Sequence, residues 1–331
     1  MEPYRDVVDA YRSFAVEAAE SPTFADWSQQ VADDPELVAW LRTLPAVKQQ
    51  PNLVFAAARW HGVPAPGPYT GLREALLTDQ GAIRQTILTR ATQTNEVGRM
   101  ATLLPAFTHL ARSQGWAADQ PVTLVEVGAS AGLCLYPDRW GYLWQTDTGP
   151  VRLGEAPSLG CLAEGAVPLP PRLPVISRRA GIDLNPLDVT DHAEMTWLET
   201  LVWPEQQDRR ARLRHGIEVA RTDPPHLVRG DLLTGLTTLL AEVSGSAPVI
   251  VFHSAVIAYL EPADRLRFDA SMRGLVSSGT CHWVSNEGPR VLPSVTASGP
   301  PLGPEPTFVL GVDGQMVART HGHGRSLSWT L

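Results

Sequence analysis

The residues able to do chemistry in this chain stand where apolar runs give way to turns. The run Val122–Val127, broken only by Thr123 and Glu126, meets the small residues Gly128, Ala129, Ser130, Ala131 and Gly132. A short apolar, β-branched run bounded by small residues predicts a buried parallel strand. The turn that follows lets a ligand approach the main chain closely. Glu126 falls just before that turn, and a carboxylate there is costly to bury without hydrogen bonds. It is expected to face the crevice at the carboxyl edge of the sheet. A second run ends in Asp183, whose carboxylate suits a vicinal diol because both hydroxyls can donate to it. A third, from His226, ends in an acidic turn at Asp231; a fourth, from Pro248, ends in His253-Ser254; a fifth, from Thr280, runs to Asn286-Glu287. His253 is the candidate general base, since an imidazole titrates near neutral pH, with Glu287 nearby and Ser254 on the substrate side.

Spacing separates two ligand classes. The dinucleotide fingerprint G-x-G-x-x-G would require glycine where Leu133 stands. The pattern Glu126-x-Gly128-x-Ser130-x-Gly132 instead resembles motif I of class I S-adenosylmethionine-dependent methyltransferases, with serine in the middle glycine slot. That resemblance implies that Glu126 belongs to the binding site of the cofactor S-adenosylmethionine, with Gly128, Ser130 and Gly132 at its methionine end, Asp183 at its ribose and Asp231 at its adenine. Asp231 also fits a helix N-cap, and the two roles are compatible. Asp183 lies much further from the turn than the usual ≈ 20 residues. The assignment therefore requires residues 134–177, rich in aromatic residues, Pro and Gly, to be an insertion.

The elements that must hold these groups follow from periodicity. Tyr4, Val7, Val8, Tyr11, Phe14 and Ala15 recur at helical spacing. Ser21-Pro22 and Asp34-Pro35 each put a capping residue before a first-turn proline. Residues 1–117 thus read as a helical cap. Its segment from Ala91 to Met100 is crowded with polar groups, with Thr94 a candidate N-cap. Gln93, Asn95, Glu96 and Arg99 are candidates to fold over the site from the substrate and lid side. Residues 118–331 alternate strands and helices and end in antiparallel strands, as expected of a doubly wound, mainly parallel Rossmann-like α/β sheet.

Composition narrows the partners. With 44% hydrophobic residues in 331, the chain can bury a sizeable core. A formal charge of −8 argues against a nucleic-acid phosphate footprint and against a general attraction to anionic membranes. No apolar run is long enough to span a bilayer, and no secretory signal is visible at the start. Three scattered cysteines, Cys134, Cys161 and Cys281, fit reduced cytoplasmic thiols. No metal is expected: His321 and His323 form an H-x-H pair without a clear third ligand.

Several segments together resemble one family. Residues 92–99, Glu126–Leu133, Gly181–Thr190, 201–206, Val228–Asp231, Phe252–Leu260 and Ser285–Pro289 are similar to the uncharacterised bacterial family known as domain of unknown function 2332. The resemblance implies a class I methyltransferase fold and brings no established substrate. The expected activity is methyl transfer from S-adenosylmethionine to a small-molecule acceptor. The alternatives are a non-catalytic adenosylmethionine or nucleoside sensor, and a hydrolase on the same sheet. The hydrolase is disfavoured by the lack of a G-x-S-x-G elbow.

Overall fold

The computed structural model describes residues 6–93, 95–303 and 307–331. Tyr4 and Thr94, expected in the first helix and as a cap, lie outside the described residues. In chain order the helices are α1 Val7–Glu17, α2 Pro22–Asp33, α3 Pro35–Leu41, α4 Pro51–Trp60, α5 Tyr69–Leu77, α6 Ala82–Thr89, α7 Met100–Ser113, α8 His192–Leu201, α9 Gln207–Thr222, α10 Leu232–Val243, α11 Pro262–Ser277 and the single turn α12 Pro293–Thr296. The strands are β1 Val122–Val127, β2 Gly141–Thr146, β3 Gly149–Leu153, β4 Ser158–Glu164, β5 Ile176–Asp183, β6 His226–Arg229, β7 Val249–Ser254, β8 His282–Glu287, β9 Phe308–Val312, β10 Gln315–Thr320 and β11 Ser326–Trp329.

The chain divides into two compact units, residues 1–94 with 190–214, and residues 95–189 with 215–331. These bounds differ from a simple split at 117. The reason is packing. Helix α7 lays Phe107 edge-on against Phe252 of β7, ring centroids 5.7 Å apart, so it belongs with the sheet. Helix α8 sets Trp197 edge-on against Trp60 of α4 at 5.9 Å, so it belongs with the helices.

In the helical unit the expected caps form. The Ser21 side chain accepts from the Phe24 amide, and Asp34 accepts from Glu36 and Leu37, each just ahead of a first-turn proline. Tyr11 and Phe24 meet Phe55 edge-on at 5.8 and 5.1 Å, which makes an aromatic core. Arg59 Nη1 donates to the carbonyls of Thr200 and Val202 at 2.6 and 2.8 Å and ties α8 to α4.

The second unit is mixed α/β, built on one 11-stranded, mostly parallel sheet in the order β3-β2-β4-β11-β10-β9-β8-β7-β1-β5-β6. The block β6-β5-β1-β7-β8 is parallel; β9, β10 and β11 alternate direction beyond it. From β1 the chain moves outward to β5 and β6, then returns to β7 on the other side of β1. The gap between β1 and β7 is therefore a topological switch point, where crevices open at the carboxyl ends of strands. The long segment after the turn forms β2, β3 and β4, which extend the far end of the sheet through a parallel pairing of β4 with β11. This brings Asp183 back beside β1, with Ile182 opposite Val127, despite its distance in sequence.

The two faces of the sheet differ. Val125, Val127, Val251 and Trp283 point to a core shared with Leu236 and Leu239 of α10 and Phe268 and Met272 of α11. Side chains alternate along a strand, so Glu126, and Phe252 opposite it, point to the other face, toward α7. No helix among the described residues is long and apolar enough to cross a membrane.

Candidate functional site

The turn after β1 is strongly shaped. Gly128, Ser130 and Gly132 all take left-handed backbone, with φ of 70°, 51° and 69°. At Ser130 that conformation is uncommon for a residue with a Cβ. Glycine is required at 128 for a second reason: a Cβ there would fall 2.5 Å from both Cγ atoms of Val256 in the loop after β7. Every amide of the turn has an acceptor within the unit. Gly128 and Ala129 donate to the Ile182 carbonyl at 2.8 and 3.3 Å, and Gly132 donates to Ala129 at 2.6 Å. Ser130 donates to Asp183 Oδ2 at 2.8 Å, and Ala131 to Asn95 Oδ1 at 3.2 Å. Asn95 Nδ2 also donates to Ser130 Oγ at 2.7 Å. Asp183 Oδ1 accepts from the Asn185 amide at 2.7 Å, so the carboxylate holds both its own loop and the turn.

On the α7 face, Glu126 is buried and its Oε2 has no hydrogen-bond partner among the described residues. Burial pushes its carboxyl well above the ordinary range; the Arg99 charge opposes the shift and the Asp183 charge adds to it. Arg99, 7% exposed, donates Nη1 to the Ser254 carbonyl at 2.9 Å and Nε to the Gly322 carbonyl at 2.8 Å. Ahead of it, the Glu96 side chain accepts from the Gly98 amide and caps the turn Val97–Arg99. The segment 95–99 thus fastens three places: the turn after β1, the end of β7, and the hairpin loop between β10 and β11. Beside it, Thr320 Oγ1 donates to Asn286 Oδ1 at 2.6 Å and Asn286 Nδ2 donates to Ser254 Oγ at 2.9 Å.

His253 and Glu287 lie on the opposite face. His253 is fully buried against Phe268 of α11 and Trp283. Trp283 Nε1–H can only donate, and it donates to His253 Nε2 at 3.0 Å. The ring proton is therefore on Nδ1, which donates to Glu287 Oε1 at 2.7 Å. That same oxygen accepts the amides of Val256 and Ile257 at 2.9 and 3.0 Å. Both ring nitrogens are engaged inside the core. The alternation of β7 turns the ring away from Ser254 and Glu126.

A family model described as an uncharacterized protein conserved in bacteria (DUF2332) matches residues 8–329, through both units. The chain belongs to the DUF2332 family. A search of curated proteins found no match.

The remaining candidates of this DUF2332 chain fall in different places. Asp231 caps α10, accepting from the Leu233 amide at 2.8 Å. Gln93 belongs to the helical unit. The His323 amide donates to His321 Nδ1 at 3.0 Å, and no group of three or more His, Cys, Asp or Glu side chains among the described residues could hold a metal. Cys134 is a buried thiol raised well above its ordinary range, mainly by burial and further by the Glu126 charge. Asp138 pairs with Arg179 of β5, which donates to its two oxygens at 2.9 and 2.7 Å; Arg139 is a longer contact at 3.4 Å. Asn286, Thr320 and Val256 were not singled out by sequence. Only the position of Asn286 beside Glu287 at a strand end hinted at any of them.

Proposed function

We propose that the sheet-bearing unit binds S-adenosylmethionine and transfers its methyl group to a small-molecule acceptor. The closed turn carries this reading. A phosphate needs free amides at a turn or helix start, and all five amides from Gly128 to Gly132 are engaged within the unit. An adenosyl ligand without phosphate asks for something else: a carboxylate for the ribose hydroxyls. Asp183 stands against the turn, and each of its oxygens accepts one amide and keeps a further lone pair. The parallel order β6-β5-β1-β7-β8, with its switch point at β1 and β7, supports a Rossmann-like sheet of the class I methyltransferase kind.

In this reading Gly128, Ser130 and Gly132 lie at the methionine end, Asp183 at the ribose and Asp231 on the adenine side. The sulfonium supplies the activated methyl group when bound. The chain contributes alignment, and Asn95, Glu96 and Arg99 shape the site from the α7 face. With His253 engaged in the core, an acceptor that arrives already nucleophilic suits the site best, and positioning carries most of the rate. A hydrolase reading loses ground, since Ser254 and His253 point to opposite faces and form no nucleophile–base pair. The second reading is a sensor that binds the cofactor without turnover, which the engagement of His253 favours.

Calorimetric titration with S-adenosylmethionine, adenosylhomocysteine, ADP and NAD tests the proposal. Binding of the two adenosyl ligands and neither phosphate ligand is expected. A chain that binds neither adenosyl ligand overturns it.

A further inference from the structure

We infer that His253 and Glu287 are positioning residues that set the turn after β1 from the opposite face of the sheet. The contacts form a continuous series. Trp283 Nε1 fixes His253 through Nε2, and His253 Nδ1 fixes Glu287 Oε1. Glu287 Oε1 then gathers the amides of Val256 and Ile257. The preceding residue, Ala255, is held in left-handed backbone with φ of 60°, and its amide donates to the Asn286 carbonyl at 3.1 Å. This sharp exit from β7 delivers the Val256 side chain to Gly128, where a Cβ would fall 2.5 Å from both Val256 Cγ atoms. Three donors converge on one buried carboxylate oxygen while Glu287 Oε2 has no partner among the described residues. Such an arrangement fixes the loop more tightly than a neutral acceptor would, because bonds to a charged acceptor are the stronger kind. Val256 is thereby the wall against which the Gly128 turn closes, and the buried pair determines where that wall stands. The inference deepens the proposed function in one respect only: a ligand at the turn would feel the wall.

The test joins a stability measurement to amide exchange, so that it does not depend on the ligand. Gly128→Ala is expected to lower the unfolding midpoint, and Val256→Ala, which removes both γ carbons, to restore part of the loss in the double variant. Glu287→Gln should speed exchange at Val256 and Ile257 at least tenfold and speed it also across residues 128–132, while the interior of β7 stays protected. If Glu287→Gln does not fold, Val256→Ala alone should produce the faster exchange across 128–132. Absence of rescue in the double variant, or unchanged exchange at 128–132 in whichever of these two folds, overturns the inference. Adenosylhomocysteine affinity is read alongside: a fall of about fivefold or more in Val256→Ala, at an unchanged midpoint, is expected if the proposed ligand occupies the turn. A wild type that binds no adenosylhomocysteine refutes the ligand reading and leaves the rescue and exchange results to decide the positioning role.

Discussion

The Ser130 amide donates to Asp183 Oδ2 at 2.8 Å, so the carboxylate at the tip of β5 closes the turn at the end of β1. Two strands with 48 residues of sequence between them are locked at the edge where a ligand would bind. Removing the charge of Asp183 therefore has two expected effects. In Asp183→Asn the carboxamide can accept only one of the amides of Ser130 and Asn185 through its oxygen, so stability should fall by about 1–3 kcal/mol. Adenosylmethionine and adenosylhomocysteine should both weaken by at least about tenfold, roughly 1.4 kcal/mol. Thermal unfolding and calorimetry check the pair. Equal affinity of wild type and variant would remove Asp183 from the ribose.

His253 is expected to matter for folding rather than for proton transfer. Truncation to Ala leaves a cavity beside Phe268 and strands both the Trp283 donor and part of the Glu287 carboxylate. The expected loss is about 2–5 kcal/mol, as for other large-to-small core changes. Urea denaturation measures it. A His253→Ala protein as stable as wild type would contradict the buried network.

Glu126 gives a pH signature of defined sign. Its folded carboxyl holds its proton well above the ordinary 4.5. Between the unfolded and folded values the native state carries a proton that the unfolded state has lost. Stability is then fully present below about pH 4.5 and declines as pH rises, by up to about 1.4 kcal/mol per pH unit. Glu126→Gln lacks this proton, so the variant should match the wild type most closely in acid and gain on it progressively toward neutrality. Denaturation curves collected from pH 4 to 8 would show the divergence; parallel pH profiles would count against it.

The thiols should be inert in the native state. Burial pushes Cys161 and Cys281 up to about 12, with the Asp313 charge adding to the effect at Cys281, and raises Cys134 well above its ordinary range. A thiol reagent at pH 8 should label none of the three rapidly and all three after denaturation. One fast equivalent in the folded protein would locate a thiol outside the core.

Much of the sheet was legible because buried parallel strands leave plain marks. Val122–Val127 and Val249–Phe252 are apolar runs, and each ends at a polar residue or a turn of small ones. The caps at Ser21, Asp34 and Asp231 were legible for a similar reason, since each acts on amides two or three residues away. The orientation of His253 was harder to read. The alternation of β7 separates His253 from Ser254, but which face carries α11 is decided by tertiary packing. Within the insertion β2 pairs with β3 and with β4, but the join of β4 to β11, far along the chain, leaves no local mark. Arg99 reaches Gly322 across 223 positions, and no local pattern announces such a bond.

That distant pairing has a consequence for how the molecule assembles. Strand β11, only four residues long, lies between β10 and β4 and is hydrogen-bonded to both. Its absence would leave two raw edges, with β2, β3 and β4 as a separate ribbon cut off from the larger sheet. Contacts this far apart in sequence form late, because loop closure must precede any gain from pairing. The folding chain should therefore pass through a stage in which the switch point at β1 and β7 is already built while the ribbon still searches for its place. Exposed edges at that stage make self-association the main hazard, and β11 the segment whose docking ends it.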